Sequence, residues 1–418
     1  MHQVWKRIKR IAGVAVVIAA VSRGSIALAD TPLLSFTPGN FVVLRGGDST
    51  NPNSTTNEVA SYLDEYSVSV AGSSATATYV GTLSIPADSM TLPNSTSQSH
   101  EGRLNLSTDG NWLTWGGYGT AVGGTARPTN GSATQVIGRV SGNALSLDTS
   151  TQLTPANFPG GTTPQFIRGL YSNDGNEFWD AGKSPNGGLA YVSGTGAGAG
   201  KTLLQSTTDW RNVKIYNNQL YGGTGSSSVG THGFYAIAPG QPAPTSGSPS
   251  NLLLTNNSDN SISDFSMLSM AAGAGYQSID GAGGPNVMYG IGDPSGNNFI
   301  GKLYSPSGST PLTANNLLFA GGARLSLAGL PTPEGVLAKF DPNNPSWVDL
   351  YITTASGVYF GIDTSGSPTG SIAGMTLTKI IDPGANSGFY GLAPSPAPEP
   401  ATLALLGLGA LAMIRRRR

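Results

Sequence analysis

The sequence predicts an all-β chain that closes into a ring of about six four-stranded sheets (seven is the neighbouring count), followed by a short apolar C-terminal helix. Three observations lead there. Between Asp30 and Pro394, short runs rich in Thr, Ser, Val and Tyr recur between Gly, Asn, Asp and Pro, the pattern of strands and turns. Long amphipathic stretches of Leu, Ala, Glu and Lys are missing from the same region. A looser repeat lies above the strands: a strand, a polar turn and a second strand recur roughly every sixty residues.

The chain opens with Lys6, Arg7, Lys9 and Arg10, then the apolar run Ile11 to Val21, then Ala27-Leu28-Ala29. A basic segment, an apolar segment and a small-x-small pattern define a secretory signal peptide over residues 1–29, cut after Ala29 so that the mature chain starts at Asp30. The run of about eleven apolar residues is short against the roughly 20 of a spanning helix, although Arg23 is a residue that a retained anchor would also tolerate.

The body, residues 30–393, then reads as repeats. Phe41 to Leu44 looks like a second strand with no first strand before it. Arg103 to Trp112 shows the repeat most clearly, and Gly169 to Trp179 follows it closely. Val213 to Tyr221 is a shorter version turning at Asn217-Asn218, and Ser278 to Tyr289 turns through Gly281 to Pro285. Leu325 to Tyr351 keeps the frame with an insertion around Pro331 to Pro345. Second strands are therefore expected near Val43, Leu113, Phe178, Leu220, Met288 and Leu350. Gly388 to Ala393 looks like a first strand with nothing after it, and pairing it with Phe41 to Leu44 would close a β-propeller. Radial stacking suits such units, because a four-stranded sheet cannot bury both faces alone. Two consecutive β-sandwiches or a β-helix are the alternatives with the same strand content.

Residues 394–400 form a Pro-rich spacer, expected to hold a cut site away from the body. It contains Pro398, Glu399 and Pro400, and is followed by apolar residues 401–414 and by Arg415, Arg416, Arg417 and Arg418. An apolar segment held by terminal cations is a stop-transfer element, and one of about fourteen residues with Gly407 and Gly409 suits transient retention. The arrangement resembles the PEP-CTERM sorting signal of exported proteins of Gram-negative bacteria. The resemblance implies recognition by an exosortase-like membrane protease and transient anchoring in the inner membrane. It also implies a final place at the cell surface or outside, in association with exopolysaccharide and biofilm. The whole chain is similar to exported β-propeller proteins that carry the same tail.

Composition narrows the chemistry. Cysteine is absent, which excludes disulfides, thiolate zinc sites and cysteine nucleophiles. Nine of the 22 Lys and Arg lie in the two terminal segments, leaving 13 against 23 acidic side chains over residues 30–414. An acidic body poor in cations disfavours nucleic acid. Gly194 to Thr202 imitates a phosphate loop, but Thr195 stands where the first glycine must be, and a strand rather than a helix follows. The mature chain keeps only His100 and His232, both expected as loop residues or hydrogen-bond partners, and no Gly-x-Ser-x-Gly elbow occurs.

Candidate carboxylates for glycoside chemistry are Asp64 with Glu65, and Asp174 with Glu177 and Asp180. Neighbours in a strand point to opposite faces, however, and Asp109 and Asp174 hold equivalent turn positions. No cofactor is expected. Calcium is the one ion the oxygen-rich loops suggest, at Asp259-Asn260-Ser261 with Asp264 or at Asp341 to Asn344 with Asp349. Trp112, Trp115, Tyr118, Trp179 and Tyr221 could stack on sugars, with packing between sheets the default. The expected function is a non-catalytic surface or matrix protein; the alternative is an extracellular propeller-type polysaccharide lyase or glycosidase. Convergence of His, Arg, Asp and Glu on one end of the channel would favour the alternative.

Overall fold

The computed structural model describes residues 31–50, 58–93, 100–124, 134–142, 145–154, 157, 166–183, 188–205, 209–225, 232–247, 250–252, 261–270, 276–280, 283–292, 298–307, 317–322 and 324–397. The expected signal peptide, the Pro398-Glu399-Pro400 motif and the apolar segment 401–414 lie outside them. Among the described residues, no helix is long and apolar enough to cross a membrane.

Six antiparallel sheets make a propeller ring. From the channel outward, blade 1 comprises β26 (Gly388–Pro394), β1 (Phe41–Gly46), β2 (Ser61–Ala71) and β3 (Ser74–Ser84). Blade 2 comprises β4 (Asn105–Leu106), β5 (Trp112–Tyr118), β6 (Gln135–Ser141) and β7 (Leu147–Leu153). Blade 3 comprises β8 (Gly169–Tyr171), β9 (Glu177–Ala181), β10 (Leu189–Ser193) and β11 (Gly200–Gln205). Blade 4 comprises β12 (Trp210–Tyr216), β13 (Gln219–Thr224), β14 (Gly233–Ile237) and β15 (Ser250–Leu252). In blade 5, β16 (Asp264–Leu268), β18 (Val287–Gly292) and β19 (Phe299–Pro306) are edged by the short strands β17 (Tyr276–Gln277), β20 (Leu318–Phe319) and β21 (Leu325–Ser326). Blade 6 comprises β22 (Pro333–Phe340), β23 (Val348–Thr354), β24 (Gly357–Asp363) and β25 (Thr378–Ile381).

All six expected second strands are second strands: β1, β5, β9, β13, β18 and β23 contain Val43, Leu113, Phe178, Leu220, Met288 and Leu350. The first strands of blades 5 and 6 differ from expectation. Ser278 belongs to the connection after β16, and the supposed insertion Pro331 to Pro345 contains β22 itself. Leu325-Ser326 edges blade 5 instead. Proline at the start of β22 reads as a loop signal, yet a first strand position is one that tolerates it.

The alternation of each strand sends side chains into two different cores. Val42 and Leu44 pack with Leu113, Trp115 and Val140 of blade 2, whereas Phe41 and Val43 pack with Tyr351 and Phe360 of blade 6. Ile137 and Leu153 meet Phe178 and Val192 between blades 2 and 3, and Trp179 and Leu189 meet Trp210 and Leu220 between blades 3 and 4. Phe234 meets Phe265 between blades 4 and 5, and Tyr289 and Ile291 meet Val336 and Leu350 between blades 5 and 6. The hydrophobic core is thus six cores, one per blade boundary.

Closure is the antiparallel pairing of β26 with β1: Val42 faces Ala393, Val43 faces Leu392 and Leu44 faces Gly391, with a register shift between Leu44 and Arg45. Turns between first and second strands, and between third and fourth, fall on one face of the ring, here the turn face; the remaining loops fall on the opposite face. On the turn face Asn217 and Asn218 take positive φ of 47° and 65°, the geometry of a two-residue hairpin turn. The two closest repeats lie side by side there: Thr108 N–H donates to Ser172 O at 3.0 Å and Asp109 N–H to Asn173 O at 3.0 Å.

The spacer is shorter than the sequence suggested. Pro394 ends β26, Ser395 and Pro396 are buried, and Ala397 N–H donates to Gly110 O at 2.9 Å. The reason is ring closure, which draws the end of β26 between the turns of blades 1 and 2.

Deleting Gly388–Ala393 removes Phe389, Tyr390 and Leu392 from two cores and leaves β1 unpaired. Each large core side chain is worth about 2–5 kcal/mol, so the truncation should melt far below the intact body in calorimetry. Gly138→Ala should also destabilise, by about 1–3 kcal/mol in urea titration, because a Cβ at Gly138 would overlap the Trp115 ring.

Candidate functional site

In blades 2, 4 and 5 the inner strands alternate like the others, and the positions flanking the core residues are polar. Leu104, Val213 and Phe265 enter cores, whereas Arg103 and Asn105, Asn212 and Lys214, and Asp264 and Ser266 flank them. These side chains bond to one another around the channel. Asn105 Nδ2 donates to Leu170 O at 2.8 Å and to Asn212 Oδ1 at 3.2 Å. Asn212 Nδ2 donates to Asp264 Oδ1 at 2.6 Å, and Val336 N–H donates to Asp264 Oδ2 at 2.8 Å. Lys214 Nζ lies 2.9 Å from Asp264 Oδ1 and donates to Phe265 O at 2.7 Å.

The belt closes through Glu334. Its Oε2 is 3.3 Å from His100 Nδ1 and 3.5 Å from Arg103 Nη2, and the two nitrogens are 2.9 Å apart. Blades 2, 4, 5 and 6 are thereby linked in order and back to blade 2, and blade 3 joins through Leu170 O. Blade 1 contributes Gly391, where a Cβ would come within 2.5 Å of Leu104 N, so glycine lets the inner strands approach. Nearby, Arg168 pairs with Asp209, which also faces Arg211 at 3.8 Å. Burial pushes the Lys214 ammonium down from its ordinary value, opposed by Asp264.

Residue types expected of a catalytic channel therefore do converge at one end. His100 and Arg103 are 1% exposed, Asp264 4% and Glu334 5%; the first two and Glu334 lie against one another, and Asp264 lies against Asn212, Lys214 and Val336. The sequence pointed to His100, and to Asp264 only as a calcium ligand, but not to Arg103 or Glu334 as site residues. A signal existed: aligning Ser107 with Ser172 in the two closest repeats places Arg103 opposite Arg168.

The other predicted residues separate. Asp64 accepts from Arg45 Nε at 2.5 Å and from Thr82 Oγ1 at 2.5 Å, while Glu65 on the opposite face accepts from Thr37 N–H, Asn40 Nδ2 and Ser395 Oγ. Asp174 caps the Asn176 N–H in its turn, Glu177 accepts from Tyr191 Oη at 2.7 Å, and Asp180 pairs with Lys201. Burial, then the Glu177 contact, pushes the Tyr191 phenol up to about 12. The Gly194–Thr202 loop folds along blade 2, where Gly196 N–H donates to Thr151 Oγ1 at 2.8 Å. His232 is half-buried just before β14.

The first calcium candidate loses Asp264 to Lys214 and Val336, and Asp259 and Asn260 lie outside the described residues. In the second, Asp341 Oδ1 accepts the Asn343 and Asn344 N–H groups as a turn. Asp349 is fully buried between Lys339 and Ile362, and burial followed by Asp341 pushes its carboxyl up to about 6. Among the described residues no group of three or more His, Asp or Glu is placed to hold a metal.

The aromatic residues pack. Trp115, Tyr118, Trp179 and Tyr221 are buried, Tyr221 stacking on Phe234 at 5.7 Å. Trp112 is half-buried beneath the Arg139 guanidinium at 4.8 Å.

Comparison with known proteins gives one family match: residues 396–418 match the PEP-CTERM protein-sorting motif. No curated protein matches the chain. Among solved structures, the chain is similar to a protein designated a candidate 6-phosphogluconolactonase from Bacteroides uniformis, at 11% identity, covering 84% of this chain and 99% of that one, with TM-score 0.37. It is also similar to the GH74 enzyme of Niastella koreensis, at 12% identity and TM-score 0.37, covering 84% and 47%. Prolyl oligopeptidase B from Galerina marginata matches at 9% identity and TM-score 0.33, covering 82% and 43%. The chain spans about half the length of the last two proteins. At these values the likenesses say nothing of chemistry.

Glu334→Gln should cost about 3–5 kcal/mol by chemical denaturation, because it strips a buried partner from His100 and Arg103. Asp349 titrates higher folded than unfolded, so its protonated form stabilises the native state below about pH 4 and that contribution is lost as pH rises to about 6. Asp349→Asn should therefore raise the melting temperature at pH 8 and leave it unchanged near pH 4.

Proposed function

We propose that the folded body works outside the cell as a non-catalytic surface or matrix component associated with exopolysaccharide. The PEP-CTERM motif marks an exported protein that is transiently membrane-anchored and sorted by exosortase. The observation behind the non-catalytic reading is the channel belt: His100, Arg103 and Glu334 are buried against one another, and Asp264 is taken up by Asn212, Lys214 and the Val336 N–H. Holding blades together is sufficient reason for such a set.

A body with 13 Lys and Arg against 23 Asp and Glu over residues 30–414 suits neutral glycan, or acidic glycan bridged by calcium. Residues 30–397, purified and applied to a glycan array with and without millimolar calcium, should bind one of these classes and leave polymer length unchanged. If the body depolymerises the host's own polysaccharide, and His100→Gln abolishes that in a variant that still melts cooperatively, the enzyme reading replaces this one. The convergence of His, Arg, Asp and Glu at the channel mouth is what keeps that second reading in view.

Processing is checked separately. Mass spectrometry of surface material should find an N-terminus at Asp30 and no peptide containing Arg415 to Arg418.

A further inference from the structure

The described chain ends in a built seat on the turn face. Ser395 N–H donates to Asn40 O at 3.0 Å, Ser395 Oγ to Glu65 Oε1 at 3.0 Å, and Ala397 N–H to Gly110 O at 2.9 Å. The same Glu65 oxygen accepts Thr37 N–H at 2.7 Å and Asn40 Nδ2 at 3.1 Å, so one carboxylate holds the entry to β1 and the exit from β26. A Cβ at Gly142 would come within 2.5 Å of Ala397 O, so the seat also needs that glycine. Residues 396 and 397 belong both to this seat and to the matched sorting motif.

Chain length then limits where the body can stand. From Ala397 to Ala401, where the apolar segment starts, is four residues, at most about 14 Å when fully extended. The headgroup layer alone takes about 6 Å of that on each side of the hydrocarbon core. We propose that, before processing, the turn face around Asn40, Gly110 and Gly142 is held against the lipid headgroups by this seat, and that it leaves the bilayer once the tail is cut. The release follows from charge. Asp109 and Asp174 are exposed on this face, anionic lipid repels both, and Arg139 beside them is engaged by Asp148 at 2.8 Å. The tether, not adhesion, imposes the contact. The inference rests on the anchoring stage alone and is independent of the matrix role.

The chain has no cysteine, so single labels are clean. Ser146→Cys reports on the turn face and Asp88→Cys, exposed on the loop after β3, on the opposite face. Full-length protein is reconstituted in phosphatidylcholine/phosphatidylglycerol vesicles carrying a headgroup nitroxide. The label at position 146 should be quenched several-fold more than that at 88. Residues 30–397 added to the same vesicles should show no quenching at either position. Inserting about twenty Gly-Ser residues after Ala397 should abolish the difference. Equal quenching at both positions without the insert, or quenching of residues 30–397, would overturn the proposal. So would an unquenched position 146 that crosslinks to the protease in native membranes, since the occupant would then be protein. Full-length chain that fails to float with the vesicles would overturn the anchoring itself, a distinct result.

Discussion

Every sheet in this protein has two apolar faces and must bury both. Phe41 and Val43 look one way and Val42 and Leu44 the other, so no blade can be stable beside a single neighbour. Six boundaries, each with its own core, are the solution, and they have no end. The requirement explains why the last strand of the body is the first strand of the first blade. With β26 absent, β1 would show an open edge and the cores on both its sides would be incomplete.

Radial stacking also crowds the inner strands. Only small or mutually bonded residues fit where six strands converge, which accounts for Gly391 against Leu104 and for the belt running from Asn105 through Asn212 and Asp264 to Glu334. Burying charges is unfavourable unless each has a partner, and here each charge lies beside one from another blade. Arg103 on blade 2 meets Glu334 on blade 6, and Lys214 on blade 4 meets Asp264 on blade 5. The polar groups of the channel thereby join blades that the hydrophobic cores join only in neighbouring pairs.

Closure and sorting use the same stretch of chain. β26 zips the ring, and its next three residues are fixed by Asn40, Glu65 and Gly110 before the matched sorting motif continues beyond the body. A ring that has not closed cannot form this seat, because Asn40 and Glu65 belong to the blade that β26 completes. The tail of an unclosed body is consequently presented differently from that of a closed one.

Period-two alternation, turn residues and the spacing of second strands are local properties, so the sequence by itself determined an all-β ring, its second strands and the pairing of its ends. The sorting tail was equally legible, because Pro398-Glu399-Pro400, an apolar segment and four arginines are read in order along the chain. What only the tertiary structure decided were relations between residues far apart in sequence. The first strand of blade 6 was misplaced because β22 begins at a proline within a loop-like segment. His100 and Glu334 are 234 positions apart and meet only because the ring brings blade 6 back to blade 2. Asp180, weighed as a candidate carboxylate, and Lys201, in a loop that only imitates a phosphate site, are joined as an ion pair by strand pairing. Charge partners across blade boundaries leave no periodic mark in either segment, since a side chain's partner is set by closure and not by its neighbours in sequence.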